Sequence, residues 1–141
     1  MTRIDFHSNV ADKIAYACRL VRKARAAGCR LVLLACDQRQ MATLDEALWT
    51  FSELDFLPHA IASSADAAST AVILVDDDSV AVPHHEILIN LSDRTPHHFA
   101  RFERMFEIIS ADDGDKSAGR ERYRFYQQRG YPMTHFVANQ A

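Results

Sequence analysis

The feature that most constrains the fold of this chain is the alternation of strand-like apolar runs with helical patterns. The runs CRLVLLAC, TAVILVDD, EILINLS and MFEIISA are apolar almost throughout, which is typical of strands covered on both faces. The opening segment RIDFHS places Ile4 and Phe6 on one face of a further strand. Because strands that alternate with helices form parallel sheets, the sequence predicts an α/β fold of Rossmann-like type, with a mostly parallel sheet and helices on both faces.

Four helices are predicted around these strands. The first follows the opening strand, with Asn9 as its N-cap and Gly28 as its stop, and the second begins at the aspartate of DQRQMATLDEALWTF. The segment TPHHFARFERM predicts a third helix, because a threonine cap followed by proline favours a helix start. The last helix is expected to run from near Lys116 to Gly130, after a turn at SADDGD.

Length and composition favour one compact domain, residues 1–141. A chain of 141 residues that is 48% hydrophobic and 25% charged falls in the size range of a single domain. It has no apolar run of about 18 residues and no signal-peptide pattern at its start, so a cytoplasmic protein without membrane contact is expected. The three cysteines, Cys18, Cys29 and Cys36, lack metal-site spacing and are expected to be buried free thiols.

No motif indicates catalysis, a cofactor or a metal. The first strand-to-helix turn, FHSNVADK, lacks the glycines that let backbone amides approach a phosphate. The acidic and histidine side chains at residues 76–78 and 84–86 would suit a metal only if they converged, and adjacent strand residues point to opposite faces. The sequence therefore predicts a non-enzymatic protein, with a small Rossmann-like enzyme that has a degenerate nucleotide site as the alternative.

The charge distribution favours a binding protein. The formal net charge of -3 argues against a protein that coats duplex DNA. Residues 116–131 nevertheless carry five cationic side chains against one acidic, a net charge of +4. Helical spacing places four side chains of the last helix on one face: Arg120, Tyr123, Arg124 and Gln127. Such a face suits a carboxylate beside an apolar side chain, and the other interpretation is a solvated basic face with the tyrosine in the core.

Three segments, LDEALW, FLPH and RERYRFY, occur in an order and at a spacing that resemble the chi subunit of bacterial DNA polymerase III, an accessory protein of the clamp-loader complex. The resemblance also covers IDFH and RLVLLAC, and it is weakest in residues 62–85 and after Gly130. It implies a Rossmann-like domain without a nucleotide site that acts as a non-catalytic adaptor in DNA replication. Any DNA polymerase activity would then belong to the holoenzyme.

The resemblance implies two protein partners and a surface for each. The psi subunit, which tethers chi to the clamp loader, is assigned to Trp49 and Phe56. The acidic C-terminal tail of single-stranded DNA-binding protein is assigned to Arg120, Tyr123 and Arg124, and the family often has lysine at the last of these positions. The same analogy extends the psi surface to a repair helicase. DNA itself is expected to be contacted only indirectly, because the chain has a negative net charge and no aromatic run for base stacking.

Two aromatic side chains near the end of the second helix need separate interpretations. Trp49 either closes this helix onto the sheet or is exposed as an interface anchor, and the resemblance favours exposure. Phe51 lies three positions after Leu48, and the resemblance gives it no role. Core packing is therefore expected for Phe51.

Overall fold

The computed structural model describes residues 1–50 and 58–138, in which a seven-stranded sheet forms the centre of the protein. Its strands are β1 (Arg3–Val10), β2 (Leu31–Leu34), β3 (Ala60–Ile61), β4 (Val72–Val75), β5 (Ile87–Asn90), β6 (Arg104–Ser110) and β7 (Met133–Val137). They lie in the order β3-β4-β2-β5-β6-β1-β7, and every neighbouring pair is parallel. The predicted α/β fold is confirmed, and all of the described strands are parallel rather than most of them.

In the described chain, three α-helices cover the two faces of this sheet: α1 (Lys13–Ala26), α2 (Gln38–Thr50) and α3 (Asp113–Gln128). Helices α1 and α2 pack on one face, where Val21 and Leu48 join the same apolar cluster. Helix α3 packs on the other face, where Tyr126 is buried. Every residue of β2, β4 and β5 is buried, as expected for central strands covered on both sides. None of these helices is long and apolar enough to cross a membrane.

The start of α1 differs from the sequence prediction, whereas its end does not. Asn9 is not the N-cap, because β1 continues past it and Asn9 adopts a positive φ of 59°. Asp12 caps the helix instead, and its carboxylate accepts hydrogen bonds from the amides of Ile14 (3.0 Å) and Ala15 (3.2 Å). Gly28 follows the end of the helix with a φ of 81°, the left-handed conformation that favours glycine.

The last helix begins earlier than predicted. Helix α3 starts at Asp113 rather than near Lys116, so part of the predicted SADDGD turn is already helical. The reason is a local cap, since the Asp112 carboxylate accepts a hydrogen bond from the amide of Asp115 at 3.2 Å. Gly130 follows the helix with a φ of 77°, in agreement with the predicted end.

The prediction of a helix in TPHHFARFERM is wrong, because this segment forms a single 3-10 turn at Phe99–Arg101 and its last two residues already belong to β6. Tertiary contacts take backbone groups that a helix would use. The amide of His97 donates to the carboxylate of Asp78 instead of to the threonine cap. The carbonyl of the buried Phe102 accepts a hydrogen bond from the Thr2 hydroxyl at 2.6 Å. The segment therefore connects β5 to β6 without an α-helix.

The sequence analysis predicted neither of the two edge strands. The two-residue strand β3 lies at one edge of the sheet, and β7 pairs with β1 at the other. Four of the five β7 residues are exposed, so the strand has neither a continuous nor an alternating apolar pattern. Its position is fixed by backbone pairing to β1, which continues in the 2.8 Å hydrogen bond from the Ala138 amide to the Ser8 carbonyl.

A buried polar network joins α3 to the middle of β6. Glu107 is fully buried, and its carboxylate accepts hydrogen bonds from the Tyr126 hydroxyl (2.6 Å), the Arg122 Nε (3.1 Å) and the Asn90 side-chain amide (2.9 Å). Arg122 is 3% exposed, so this ion pair is removed from water. Burial raises the pKa of Tyr126, and the neighbouring Glu107 carboxylate raises it further, which keeps the hydroxyl proton available as a donor. The network fixes the rotation of α3 over the sheet.

A second buried polar group, His7, lies on the sheet face covered by α1. Its Nδ1 is hydrogen-bonded to the Tyr16 hydroxyl, and its ring packs against the rings of Phe106 and Phe136. Burial lowers the pKa of His7 below the ordinary histidine value of 6.5. The imidazole is therefore neutral at pH 7.

We expect the stability of the protein to fall as the pH drops below about 6.5, because the unfolded chain then binds a proton that folded His7 resists. Above that pH the ring is neutral in both states, so His7 makes no contribution to the pH dependence. The midpoint of thermal unfolding should therefore fall on acidification, and fall less in His7→Phe, which keeps an aromatic ring. Burial lowers the pKa of His84 in the same direction, and this contribution persists in both proteins. An equal fall in both would assign the pH dependence to groups other than His7.

Candidate functional site

A pocket of about 430 Å³ lies between α3 and the edge of the sheet formed by β1 and β7. We call it the α3 pocket. The buried side chains of Phe6 and Ile109 supply its apolar floor. Lys116 and Arg120 line it from α3, and His135 lines it from β7. An apolar floor below cationic side chains suits a ligand that combines a carboxylate with an apolar group.

Gly119 allows α3 to approach the sheet closely enough to form one wall of this pocket. A Cβ atom at this position would lie 2.8 Å from the Cδ1 atom of Ile109, closer than van der Waals contact allows. Gly119 is buried and lines the pocket with its backbone. The next residue, Arg120, also lines the pocket and stays exposed to solvent.

Two of the three predicted tail-binding residues meet at the α3 pocket. Tyr123 is half-buried and lines the pocket, and its ring lies edge-on to Phe6 with the ring centres 5.1 Å apart. The two interpretations of this tyrosine therefore hold together, because it packs against the core and also faces the pocket beside Arg120. Arg124 is exposed on the same helix but outside the lining of the pocket.

The sequence analysis assigned no site role to three polar residues that line the pocket: Lys116, Ser8 and His135. Lys116 precedes Arg120 by four residues, so helical spacing could have found it. The Ser8 hydroxyl and the Nε2 of His135 form a 2.7 Å hydrogen bond across the β1 and β7 pair. No sequence signal could have joined these two, because β7 itself was not predicted.

The helix starts, where proteins often hold phosphates, are capped by aspartates in the described chain. Asp12, Asp37 and Asp112 each accept a backbone amide hydrogen bond, at the starts of α1, α2 and α3 respectively. A carboxylate in this position takes an amide that a phosphate would need, and its charge repels the phosphate. The geometry therefore disfavours a nucleotide at these helix starts.

The side chains considered as metal ligands do not converge. Residues 76–78 follow the end of β4 and residues 84–86 precede the start of β5, so the two groups lie at opposite ends of a parallel sheet. Within residues 1–50 and 58–138, no group of three or more His, Cys, Asp or Glu side chains could hold a metal ion. The three cysteines are free thiols, of which only Cys18 is fully buried, and burial raises the pKa of its thiol to about 11.

The aromatic surface predicted at the end of α2 is described only in part. Trp49 is 50% exposed, and the centre of its ring lies 4.7 Å from that of His59. His59 is buried, with its Nε2 2.7 Å from a carboxylate oxygen of Asp45. Trp49 is therefore half exposed rather than packed fully onto the sheet. The predicted psi-binding residue Phe56 and the predicted core residue Phe51 lie outside the described residues.

Comparisons with known proteins identify the family. A family profile described as "DNA polymerase III chi subunit, HolC" matches residues 1–134. The chain is 32% identical to the DNA polymerase III subunit chi of Pseudomonas aeruginosa over 137 residues, which cover 94% of each protein. It is 29% identical to the subunit of the same name in Escherichia coli over 103 residues, or 72% of this chain and 70% of that protein. The chain therefore belongs to the DNA polymerase III chi subunit family and is an accessory, non-catalytic subunit of that polymerase.

Proposed function

We propose that this chain acts as a single-domain adaptor that links the clamp loader, through the psi subunit, to the C-terminal tail of single-stranded DNA-binding protein during DNA replication in the cytoplasm. The observation that carries the proposal is the α3 pocket, with its apolar floor and cationic walls. Membership of the chi family supports the setting in a replication complex. A repair helicase is a further candidate for the psi surface.

An acidic peptide that ends in an apolar side chain fits the α3 pocket in two ways. Its terminal carboxylate can accept charge-assisted hydrogen bonds from the guanidinium of Arg120 or the ammonium of Lys116. Its apolar side chain can cover Phe6 and the ring of Tyr123, which removes apolar surface from water. A ligand with only one of these features would make either the polar or the apolar contacts, but not both.

Arg124 extends the cationic surface beyond the pocket. It follows Arg120 by four residues, so the two guanidinium groups lie on the same side of α3. Because Arg124 is exposed, we assign it to acidic residues upstream of the peptide end, where an ion pair stays solvated and is sensitive to salt. The proposed tail site therefore consists of Arg120 and Tyr123 in the pocket, with Arg124 beside it.

We assign psi binding to Trp49 and Phe56. The half-exposed indole of Trp49 supports this assignment, because tryptophan supplies a large contact area at a small cost in conformational entropy. Helix α2, which carries Trp49, packs on the sheet face opposite to α3. Two partners on opposite faces could therefore be bound at the same time.

We expect Trp49→Ala to weaken psi binding by about 2 kcal/mol or more, because interface aromatics often contribute that much. In a bridging assay, immobilised psi should retain the parent chain together with single-stranded DNA-binding protein. It should retain little of the Trp49→Ala variant and therefore little single-stranded DNA-binding protein. Arg120→Ala should bind psi normally and lose only the DNA-binding protein. Thr50→Ala, at the neighbouring exposed position, is the matched control.

Parent-like psi binding by a folded Trp49→Ala variant would remove this residue from the psi surface. If the parent chain itself binds psi but brings no single-stranded DNA-binding protein to it, the adaptor proposal is wrong. Circular dichroism of each variant separates a lost contact from a lost fold.

A further inference from the structure

Helix α1 has an unusual charge composition. It carries five cationic side chains and no acidic one: Lys13, Arg19, Arg22, Lys23 and Arg25. Arg19 and Lys23 are exposed and are separated by one helical turn, and neither makes an ion pair with another described residue. This surface is on the face of the sheet opposite to α3. It is therefore separate from the proposed tail site.

A second cavity, of about 420 Å³, lies beside this helix and is bounded by the starts of β5 and β6 and by β7. We call it the α1 cleft. Four ring side chains line it: His7, Tyr16, Phe106 and Phe136. Lys23 and Arg104 line it as well, although Asp5 at 2.6 Å compensates the charge of Arg104. The volume lies in the range of about 300–1,000 Å³ that is usual for small-molecule sites.

The cleft offers flat surfaces to a ligand. The rings of Phe136 and His7 are stacked, with their centres 5.1 Å apart and an angle of 24° between the planes. Phe136 is 49% exposed, so part of this stack faces solvent. The guanidinium of Arg19 lies 5.5 Å from the ring centre of Tyr16 and places a cation beside a second aromatic surface.

His7 supplies a polar group with no partner in the described chain. The residue is 8% exposed, and its Nε2 is buried without a hydrogen bond to any described residue, while its Nδ1 is bonded to Tyr16. Because His7 is neutral at pH 7, this nitrogen is a single hydrogen-bonding group and not an additional cation. A buried nitrogen without a partner is costly unless a bound molecule satisfies it.

We propose that the α1 cleft binds single-stranded nucleic acid, with phosphates beside Arg19 and Lys23 and a base against the ring of Phe136. Cationic side chains beside exposed aromatic rings are the combination by which proteins bind single strands without sequence preference. An acidic peptide would satisfy the charges but would not use the stacked rings. Direct contact with a single strand differs from the expectation of only indirect contact with DNA, which rested on the negative net charge of the chain and on the lack of an aromatic run in the sequence.

Fluorescence anisotropy with a labelled oligothymidylate tests the proposal on the full chain. We expect a dissociation constant of about 1–100 µM at low salt. This constant should increase as the salt concentration rises, because phosphate contacts weaken. Phe136→Leu, which keeps an apolar side chain but not a flat ring, should weaken binding by roughly tenfold, whereas Phe136→Tyr should bind like the parent. The double variant Arg19→Glu/Lys23→Glu should weaken binding by at least about tenfold and reduce the slope of log affinity against log salt by about 1.4.

Matched controls separate this site from the tail site and from general charge effects. Arg39→Glu makes the same charge change as either single substitution, at an exposed position of α2, and should lower the affinity far less than Arg19→Glu or Lys23→Glu alone. Arg120→Glu should lose the tail peptide but keep the oligonucleotide. An abasic oligomer of equal length should bind the parent more weakly than the oligothymidylate, and about equally to the parent and to Phe136→Leu.

Three results would overturn the proposal. The first is no binding by the parent at about 100 µM protein in low salt, the weak end of non-specific binding. The second is equal binding of the oligothymidylate by the parent and the folded α1-cleft variants. The third is a double variant that binds an acidic peptide more weakly than the parent does but binds the oligonucleotide as the parent does. That result would make this surface a site for an acidic protein.

Discussion

Replacing Arg122 with alanine is expected to lower the free energy of unfolding by about 3–5 kcal/mol, the usual cost of removing one partner of a buried ion pair. The change would leave the Glu107 carboxylate fully buried without its cation. The hydrogen bonds from Tyr126 and Asn90 would remain, but neither donor carries a charge. Urea unfolding monitored by circular dichroism measures the loss.

Arg124→Ala is the matched control for this prediction, because it removes the same side chain two positions away at an exposed site on the same helix. Its effect on the free energy of unfolding should stay within about 0.5 kcal/mol. If Arg122→Ala is as stable as Arg124→Ala, the pair with Glu107 does not hold α3 on the sheet. A variant too unstable to purify would agree with the prediction, and Arg122→Lys would then show whether a cation alone restores the fold.

Arg120→Ala is expected to weaken binding of an acidic peptide with a C-terminal aromatic residue by roughly tenfold to a hundredfold, because a charge-assisted hydrogen bond contributes about 1.5–3 kcal/mol. Amidation of the C-terminus of the peptide should weaken binding to the parent by a similar factor, since it removes the carboxylate that we place beside Arg120. Raised salt should weaken binding further, because the pocket is open to solvent. Fluorescence anisotropy compares both peptides against both proteins.

Two further arginine variants sharpen this result. Arg129→Ala changes an exposed residue whose guanidinium lies over Phe125, away from the pocket, and should bind the peptide like the parent. Arg124→Ala should weaken binding as well, with a smaller effect than Arg120→Ala because Arg124 lies outside the pocket. Equal affinity of the parent for the free and amidated peptides would refute the carboxylate mechanism. Parent-like binding by both Arg120→Ala and Arg124→Ala would place the tail elsewhere.

The core of the fold could be predicted because its signals are local in the sequence. Each of the strands β2, β4 and β5 is a continuous apolar run, and such a run is stable only when both faces are covered. Gly28 marks the end of α1 because few other residues adopt the required φ. The shared helix face of Arg120 and Tyr123 also follows from spacing alone, and the structure places both at one pocket.

The failures have a common physical cause, which is that contacts distant in sequence decided the local structure. The helix expected in TPHHFARFERM is absent because Asp78 and Thr2 take its backbone groups. Asn9 does not cap α1, because the pairing of β1 with the neighbouring strands β6 and β7 extends β1 past this residue. No local pattern contains this information, since each partner lies in another part of the chain.

The sequence by itself therefore determined the parallel α/β core, the family and the cationic face of α3, because periodicity and short motifs are read directly along the chain. Only the tertiary structure decided which of those residues form a site. The α3 pocket exists because β7, a strand without a sequence pattern, lies beside β1, and because Gly119 lets α3 contact Ile109. The α1 cleft likewise depends on β7, which places Phe136 on His7. Both cavities depend on the pairing of β7 with β1, which lie near opposite ends of the described chain, and a linear pattern does not encode such a contact.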